Sequence, residues 1–267
     1  MESPTYGDVI ASTDLAATAE LAYLDRSGTP RLRSVTPMLM RGEPVVTLTY
    51  ADADLAREIS SSPRVCLVFS DSRLAYAGWT PLAVQARAEL EPDPEGDTFQ
   101  DHLLDQELRK FPPSRRYLDS ILLRRENWWY VPRLILRLRE LDAPLPVGRR
   151  RAPEHGVIAW RAGSGLLADS VRVDDWDSDR IPLRSLAGNE GLGLADAPAA
   201  LFYHDFSVPD MELRTSFLVT GRLTNGRLRV EERAGSRSLG KLPGLIARWR
   251  AERQLRKRCE AGIDGKP

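Results

Sequence analysis

Two stretches of the chain pass through the same elements in the same order, and this internal repeat limits the fold more than any single motif does. In the first, Ala22-Tyr23-Leu24 leads into a turn with Ser27-Gly28 and then to Ser34-Val35. In the second, Ala159-Trp160-Arg161 leads into a turn with Ser164-Gly165 and then to Ser170-Val171. Each half continues with a polar turn, another strand and a short Ala- and Leu-containing helix, ended by Pro63 in one half and Pro198 in the other. The next strands are Val65–Phe69 and Ala200–His204, and each half finishes on a long strand, Leu82–Leu90 or Phe217–Leu223. Identity between the halves is low; the likeness is one of order and spacing. If a single unit builds a two-fold dimer, a fused pair builds that interface within one chain.

Period-2 alternation dominates the first half. Val84, Ala86, Ala88 and Leu90 alternate with Gln85, Arg87 and Glu89, a strand pattern. Leu21–Asp25, Arg31–Met40, Pro44–Tyr50 and Arg64–Phe69 also read as strands, with a short helix capped by Asp52 or Asp54 and ending before Pro63. Residues 98–126 change to three- and four-residue spacings, which predict helices. Alternation returns where Leu134, Leu136 and Leu138 interleave with Arg133, Arg137 and Arg139, and Trp128–Leu141 is predicted as a strand held to an edge or bulge by Pro132, with a helix as the main competitor. The second half adds a hairpin at Asn225-Gly226, a pair suited to a tight primed turn. The predicted organisation is therefore mainly β with helical insertions. A first barrel-like unit spans 1–142 with its helices at 98–126, a Pro-, Gly- and Arg-rich linker 143–154, a second unit 155–233, and a basic helix and tail 234–267.

Charge excludes little but steers. Lys plus Arg and Asp plus Glu are 38 each, so no overall field favours nucleic acid or anionic lipid, and neither is expected as a partner. The start Met-Glu-Ser-Pro lacks a secretory pattern and no run approaches about 20 apolar residues, so the cytoplasm is the expected compartment. Cys66 and Cys259 are far apart and fit neither a disulfide framework nor a zinc site. The C-terminal helix gathers Leu242, Leu245, Ile246 and Trp249 toward one side and is expected to dock, leaving its arginines solvated.

The first half carries an ordered series that resembles the FMN-binding split barrels of the pyridoxamine 5′-phosphate oxidase-like superfamily. Residues Ala22 to Val35, with the turn Asp25-Arg26-Ser27-Gly28-Thr29-Pro30, are similar to that family's opening hairpin. Ser62-Pro63-Arg64-Val65-Cys66-Leu67 resembles its Asn-Pro-Arg-Val-x-Leu segment, and Ala86–Leu90 its return strand. The resemblance implies two split barrels per chain paired as an intrachain pseudo-dimer, with one cofactor pocket between them. It places Arg33 as the phosphate arginine, the backbone of Ser34, Val35 and Thr36 beside the flavin ring, and Thr49, Tyr50, Asp54 and Leu55 near the phosphate. The implied activity is that of a flavin-dependent oxidoreductase using FMN, or F420, on a small-molecule substrate that the residues do not name. The redox chemistry would belong to the cofactor.

Departures from the family's pattern sustain an alternative. Leu55 stands where the family often has Lys, Asp52 and Asp54 add negative charge, and Asp169 takes the position of Arg33 in the second half. The chain ends without the oxidase's Arg-Leu-x-Pro. The alternative is a non-enzymatic barrel pair that holds haem or another tetrapyrrole, another planar ligand or a protein partner, or has no cofactor.

Other features carry less. Trp128-Trp129-Tyr130 are read as core rather than as a wall over a planar ring. His204 and Asp205 face opposite ways if they lie on a strand, which speaks against an acid–base pair. Asp174, Asp175, Asp177 and Asp179 mark an acidic hairpin tip, since Arg180 and Leu186 break the calcium-loop pattern. Arg149-Arg150-Arg151 is read as a solvated stretch of linker.

Overall fold

A computed structural model of the chain describes residues 3–71, 79–163 and 165–265. Ser164, one residue of the second repeat's turn, lies outside them.

The first half is an opened barrel. Its strands are β1 (Ala19–Leu24), β2 (Pro30–Val35), β3 (Pro37–Met40), β4 (Glu43–Thr49), β5 (Val65–Phe69), β6 (Leu82–Asp93), β7 (Arg133–Arg139) and the short β8 (Leu145–Pro146). They pair in the order β2-β1-β5-β6-β7-β4-β3, with β8 beside β6. β6 joins the two parts of the ladder: Leu82–Ala86 face β5 at Phe69–Val65, and Arg87–Asp93 face β7 at Arg139–Arg133. The two ends of the ladder, β2 and β3, are consecutive in the chain across Thr36. The sheet therefore curls round on itself and stays open between them. The second half is a closed six-stranded barrel of β9 (His155–Ala162), β10 (Gly165–Val173), β11 (Arg180–Ser185), β12 (Asp196–Phe206), β13 (Arg214–Thr224) and β14 (Arg227–Gly235), in the order β10-β11-β14-β13-β12-β9.

Alternation along these strands builds three layers of core. Leu21, Val84, Ala86, Leu134 and Leu136 fill the first barrel, and Ile158, Trp160, Leu201, Val219 and Leu228 fill the second. The opposite faces of both barrels meet in a third cluster, in which Ala22, Leu32, Cys66, Val68 and Ala83 pack on Val157, Ala159, Leu166, Ala168 and Ala200. Alanines at this seam let the two sheets approach closely. Ala22 and Ala159 hold matching places in the repeat, so the pseudo-dimer expected from the repeat is present within one chain. Cys66, sealed in the seam, has its thiol pushed up to about 12 by burial.

One buried polar cluster sits among these apolar residues. Glu20 on β1 accepts from Arg150 Nη2 at 2.8 Å and from Ser70 Oγ at 3.0 Å, and its Oε1 lies 2.7 Å from His204 Nε2 on β12. Burial alone would raise the Glu20 carboxyl, but Arg150 and the His204 hydrogen bond outweigh it and hold the group below its usual range. Burial, and then the charge of Arg150, push His204 down. Arg150 is thus 5% exposed and not part of a solvated linker. It ties both halves to the segment joining them. His204 and Asp205 do part as the strand pattern requires: Asp205 turns away from the cluster and lies 3.3 Å from the Tyr203 hydroxyl.

The helices are α1 (Tyr6–Leu15), α2 (Ala53–Ser61), α3 (Asp97–His102), α4 (Leu104–Lys110), α5 (Arg115–Leu118), α6 (Ile121–Glu126), α7 (Gly191–Leu194) and α8 (Leu245–Ile263). Several differ from expectation. α1 has a capping box, Thr5 with Asp8, that strand-seeking overlooked. Asp52 occupies the α2 N-cap position, but its side chain makes no capping bond. Trp128–Tyr130 form a 3₁₀ turn and the strand begins only at Arg133, because Pro132 cannot donate to the ladder and Trp129 and Tyr130 pack into a helical core with Tyr117. The helix expected to end at Pro198 is only α7; Pro198 itself lies within β12. Asn225 and Gly226 do take positive φ, 50° and 70°, at the tip of the β13–β14 hairpin. The acidic tip between β10 and β11 is exposed, with Asp174 paired to Arg172 and Arg184. Among the described residues no helix is long and apolar enough to cross a membrane.

The cluster at the seam generates a stability prediction. Arg150→Met removes the cation and leaves the Glu20 carboxylate buried, so it should cost about 3–5 kcal/mol. Urea denaturation at neutral pH measures this; a change within experimental error would show that the cluster does not hold the halves together.

Candidate functional site

The opening in the first barrel and the seam between the halves meet at one cleft. Its inner part is a cavity of about 150 Å³ whose wall includes Arg33, Ser34, Val35 and Thr36 at the β2–β3 junction and Thr47, Leu48 and Thr49 on β4. Thr36 is where the ladder is split, so backbone that would otherwise be paired to a neighbouring strand faces the cavity instead. Asp52, Glu107, Phe111, Tyr130 and Arg133 complete the first half's share, and Arg214 comes from β13 of the second half.

The arginines differ in what surrounds them. Arg133 is buried and tied to Glu107 at 3.1 Å, and it stacks on the Phe99 and Tyr130 rings. Glu107 also accepts from Ser114 Oγ at 2.6 Å, so this pair is closed on itself. Arg33 has no carboxylate partner among the described residues, and its Nε is buried with no hydrogen-bond partner. It lies opposite Leu21 in the β1–β2 register, on the inner face of the opened barrel. Arg214 crosses from the second half, donates to Ser34 Oγ at 3.2 Å and rests on the Phe111 ring, 5.1 Å from its centroid. Crowding by the cleft walls, and then the like charge of Arg33, lower the Arg214 guanidinium from its ordinary value, although the side chain remains open to solvent along the cleft. Two cations thus line one cavity with no carboxylate bonded to either among the described residues, a charge excess that an anion would offset. Of the two carboxylates in this wall, Glu107 is paired with Arg133, and Asp52 is the one that opposes such an anion.

A second, larger cavity of about 470 Å³ adjoins this one and shares Phe111, Tyr130 and Arg214 with it. Its other walls include Pro112, Pro113, Tyr117 and Met211, the charged Arg116, Asp210 and Glu212, Leu242 and Pro243 ahead of α8, and Ala247, Arg248, Ala251 and Leu255 on α8. The helix is seated by Gly262, where an added Cβ would come within 2.2 Å of the Tyr50 carbonyl oxygen. Burial, and then Glu107, push the Tyr130 phenol up to about 12, so it stays protonated and available as a donor at neutral pH.

The sequence-predicted site residues divide. Arg33, Ser34, Val35, Thr36 and Thr49 come together on the inner cavity. Tyr50, Asp54 and Leu55 do not line it. Tyr50 is buried in the first core, Leu55 packs against that core, and Asp54 stands in solvent paired with Arg57 at 2.5 Å. A helix turns successive residues by about 100°, so only Asp52, at the start of the turn, can face the cleft. Tyr130 is the member of the aromatic triplet that lines both cavities; Trp129 is core and Trp128 is exposed. Arg214 was missed because nothing local marks it. Its role comes from strand pairing that brings β13 alongside the first half.

The matching position in the second half is spent differently. Asp169 lies opposite Ile158 in the β9–β10 register, as Arg33 lies opposite Leu21. The joining segment packs there: Ser170 Oγ donates to the Gly148 carbonyl at 2.7 Å and Asn189 Nδ2 to the Pro146 carbonyl at 3.1 Å. Gly148 is required by this approach, since a Cβ would fall 2.3 Å from that of Leu186. Asp169 is 1% exposed, and Ser185 and Asn189 approach its oxygens without completing a good hydrogen bond. Burial pushes its carboxyl up to about 6.

Asp169 therefore holds a proton in the folded state that the unfolded state releases near 3.8. Its contribution to stability is fully present below 3.8 and is lost as pH rises through about 6. Asp169→Asn should raise stability at pH 7 by roughly 2 kcal/mol and remove that decline. Urea midpoints on both sides of the window measure it; a variant whose pH dependence matches the parent's would contradict the assignment.

No family model matches the chain and no curated protein matches it. Among solved structures, a heme-binding protein from Mycobacterium smegmatis aligns over 97% of this chain and 99% of its own, at 14% identity and a TM-score of 0.32. The heme storage protein HutZ from Vibrio cholerae aligns over 53% of this chain and 96% of its own, at 14% identity and a TM-score of 0.35. A protein described as an F420 reductase aligns over 53% and 97%, at 19% identity and a TM-score of 0.32. Likenesses this distant carry no argument about ligand or activity, and the chemistry of the cleft rests on its own residues.

Proposed function

We propose that the chain binds one planar, anionic cofactor per molecule in the cleft between its halves, a flavin such as FMN or the deazaflavin F420 being the first candidate. The observation that carries this is the pair Arg33 and Arg214, contributed by different halves and bonded to no carboxylate among the described residues. The inner cavity suits a phosphate or carboxylate group, and the orphaned Arg33 Nε is a donor that such a group would satisfy. The adjoining cavity, with Phe111, Tyr117 and Tyr130 in its wall, suits an aromatic ring. The first cavity alone is smaller than the roughly 300–1,000 Å³ of ordinary ligand pockets, so the reading needs both.

A bound flavin or deazaflavin would supply electron or hydride transfer itself. The chain's part is to hold the anionic end with Arg33 and Arg214, to offer the Tyr130 hydroxyl as a donor, and to shield the ring with α8. No side chain in the cleft is assigned as an acid or base, and the activity proposed is that of an oxidoreductase whose chemistry the cofactor carries. Haem is the second reading. Two guanidinium groups suit two propionates, and Tyr117, Tyr130 and Met211 are the cleft side chains able to ligate iron.

The visible absorption spectrum during separate titrations with FMN, F420 and haem tests both readings. One equivalent of a single cofactor per chain is expected. Arg33→Ala and Arg214→Ala should each weaken binding by roughly ten- to a hundredfold, the value of a charged hydrogen bond. If none of the three binds, or if both variants bind as the parent does, the cleft is not the cofactor site.

A further inference from the structure

The C-terminal helix has two faces with different fates. Its inner face walls the larger cavity through Ala247, Ala251 and Leu255 and ends on the buried Cys259. Leu242, Leu245, Ile246 and Trp249, the apolar residues that sequence alone would send inward, are instead 52%, 84%, 69% and 59% exposed. Leu242 precedes the helix and borders the larger cavity, whereas the other three lie on the helix's first turns, away from that cavity and within about 100° of one another. Farther along the same outward side come Arg250, Arg253, Arg256 and Lys257, all exposed, with Lys241 and Arg258 exposed at either end. The Arg253 guanidinium lies over the Trp249 ring at 5.5 Å, and Arg256 is partly answered by Glu260 at 2.8 Å. Zero net charge over the whole chain conceals this local concentration.

We propose that this outer face docks on the surface of an anionic phospholipid bilayer, with Leu245, Ile246 and Trp249 entering the headgroup boundary and the basic residues meeting the lipid phosphates. An apolar tip followed by a basic stripe matches a helix that lies in the interface, and a tryptophan is at home at headgroup level. The charge pattern argues against a second copy of the chain, because a two-fold contact would set Arg250, Arg253 and Lys257 against themselves. It also argues against nucleic acid, whose phosphates would leave three large apolar side chains in water. Docking this way places the wall of the larger cavity at the lipid surface. The proposal is independent of what the cleft binds.

Flotation of the full chain with phosphatidylcholine vesicles, with and without phosphatidylglycerol, tests this. Binding is expected only to the anionic vesicles and should weaken as salt is raised. Leu245→Ser/Ile246→Ser/Trp249→Ser should reduce it at least about tenfold. Arg250→Glu/Arg253→Glu/Lys257→Glu should reduce it on the order of a hundredfold. All six positions are exposed, far-UV circular dichroism checks each fold, and either variant alone suffices. The proposal is overturned by equal binding to neutral vesicles, by binding to neither, or by a well-folded variant that binds like the parent. A duplex oligonucleotide that displaces the vesicles would overturn it in favour of nucleic acid, and a concentration-dependent dimer abolished by the serine variant would do so in favour of self-association.

Discussion

The apolar seam between the two barrels, with Glu20, Arg150 and His204 sealed into it, fixes the relative position of everything that matters for the cleft. Ala22, Ala83, Ala159, Ala168 and Ala200 keep side chains small where the sheets face each other. Such a seam is close-packed but carries little directional information. The buried ions supply direction, because each must find its partner before it can leave water. Arg150, from the segment between the halves, meets Glu20 from the first and lies 2.6 Å from His204 Nε2 of the second. That fit sets the rotation at which β13 passes the β2–β3 junction, and so determines that Arg214 reaches Ser34.

The cleft combines an unfinished sheet with an unfinished charge balance. A closed barrel would pair its backbone all the way round, as the second half does. At Thr36, in the cavity wall, the first barrel is split, and both guanidinium groups that have no bonded carboxylate among the described residues line the same cavity. The neighbouring Arg133–Glu107 pair shows the contrast, since it is buried, stacked on aromatic rings and closed by Ser114. Its work is structural, anchoring α4 to β7 at the cavity wall.

Much of the architecture was legible because it rests on period and order. The alternation through Leu82–Leu90, the helical spacings of 98–126 and the Asn225-Gly226 turn each express local geometry. The repeat and the resemblance together brought Arg33 to Thr36 and Thr49 to one cavity. What was not legible depends on contacts between distant segments. Trp128–Tyr130 are predicted as the start of the strand that alternates at 133–139, but they are drawn into a turn by the helical core around Tyr117. Arg150 looks like one of three solvated arginines until Glu20 is brought beside it. Tyr50 and Leu55 lie within a few residues of the cavity and still face the core, because a helix's first turn sorts its side chains by angle and not by nearness in sequence.

The tether lying against Ser170 and Asn189 has a consequence for how such a molecule can change. In a symmetric pair of identical chains every substitution occurs twice, so a mutation that damages one site damages both. Fusion removes that coupling. Asp169 and Gly148 alter one half while Arg33 keeps its surroundings in the other, so one pocket can be given over to holding the connection while its counterpart is refined alone. The same freedom reaches the residues that cross the seam: Arg214 lines the first half's cavity and has no obligation to a two-fold-related counterpart.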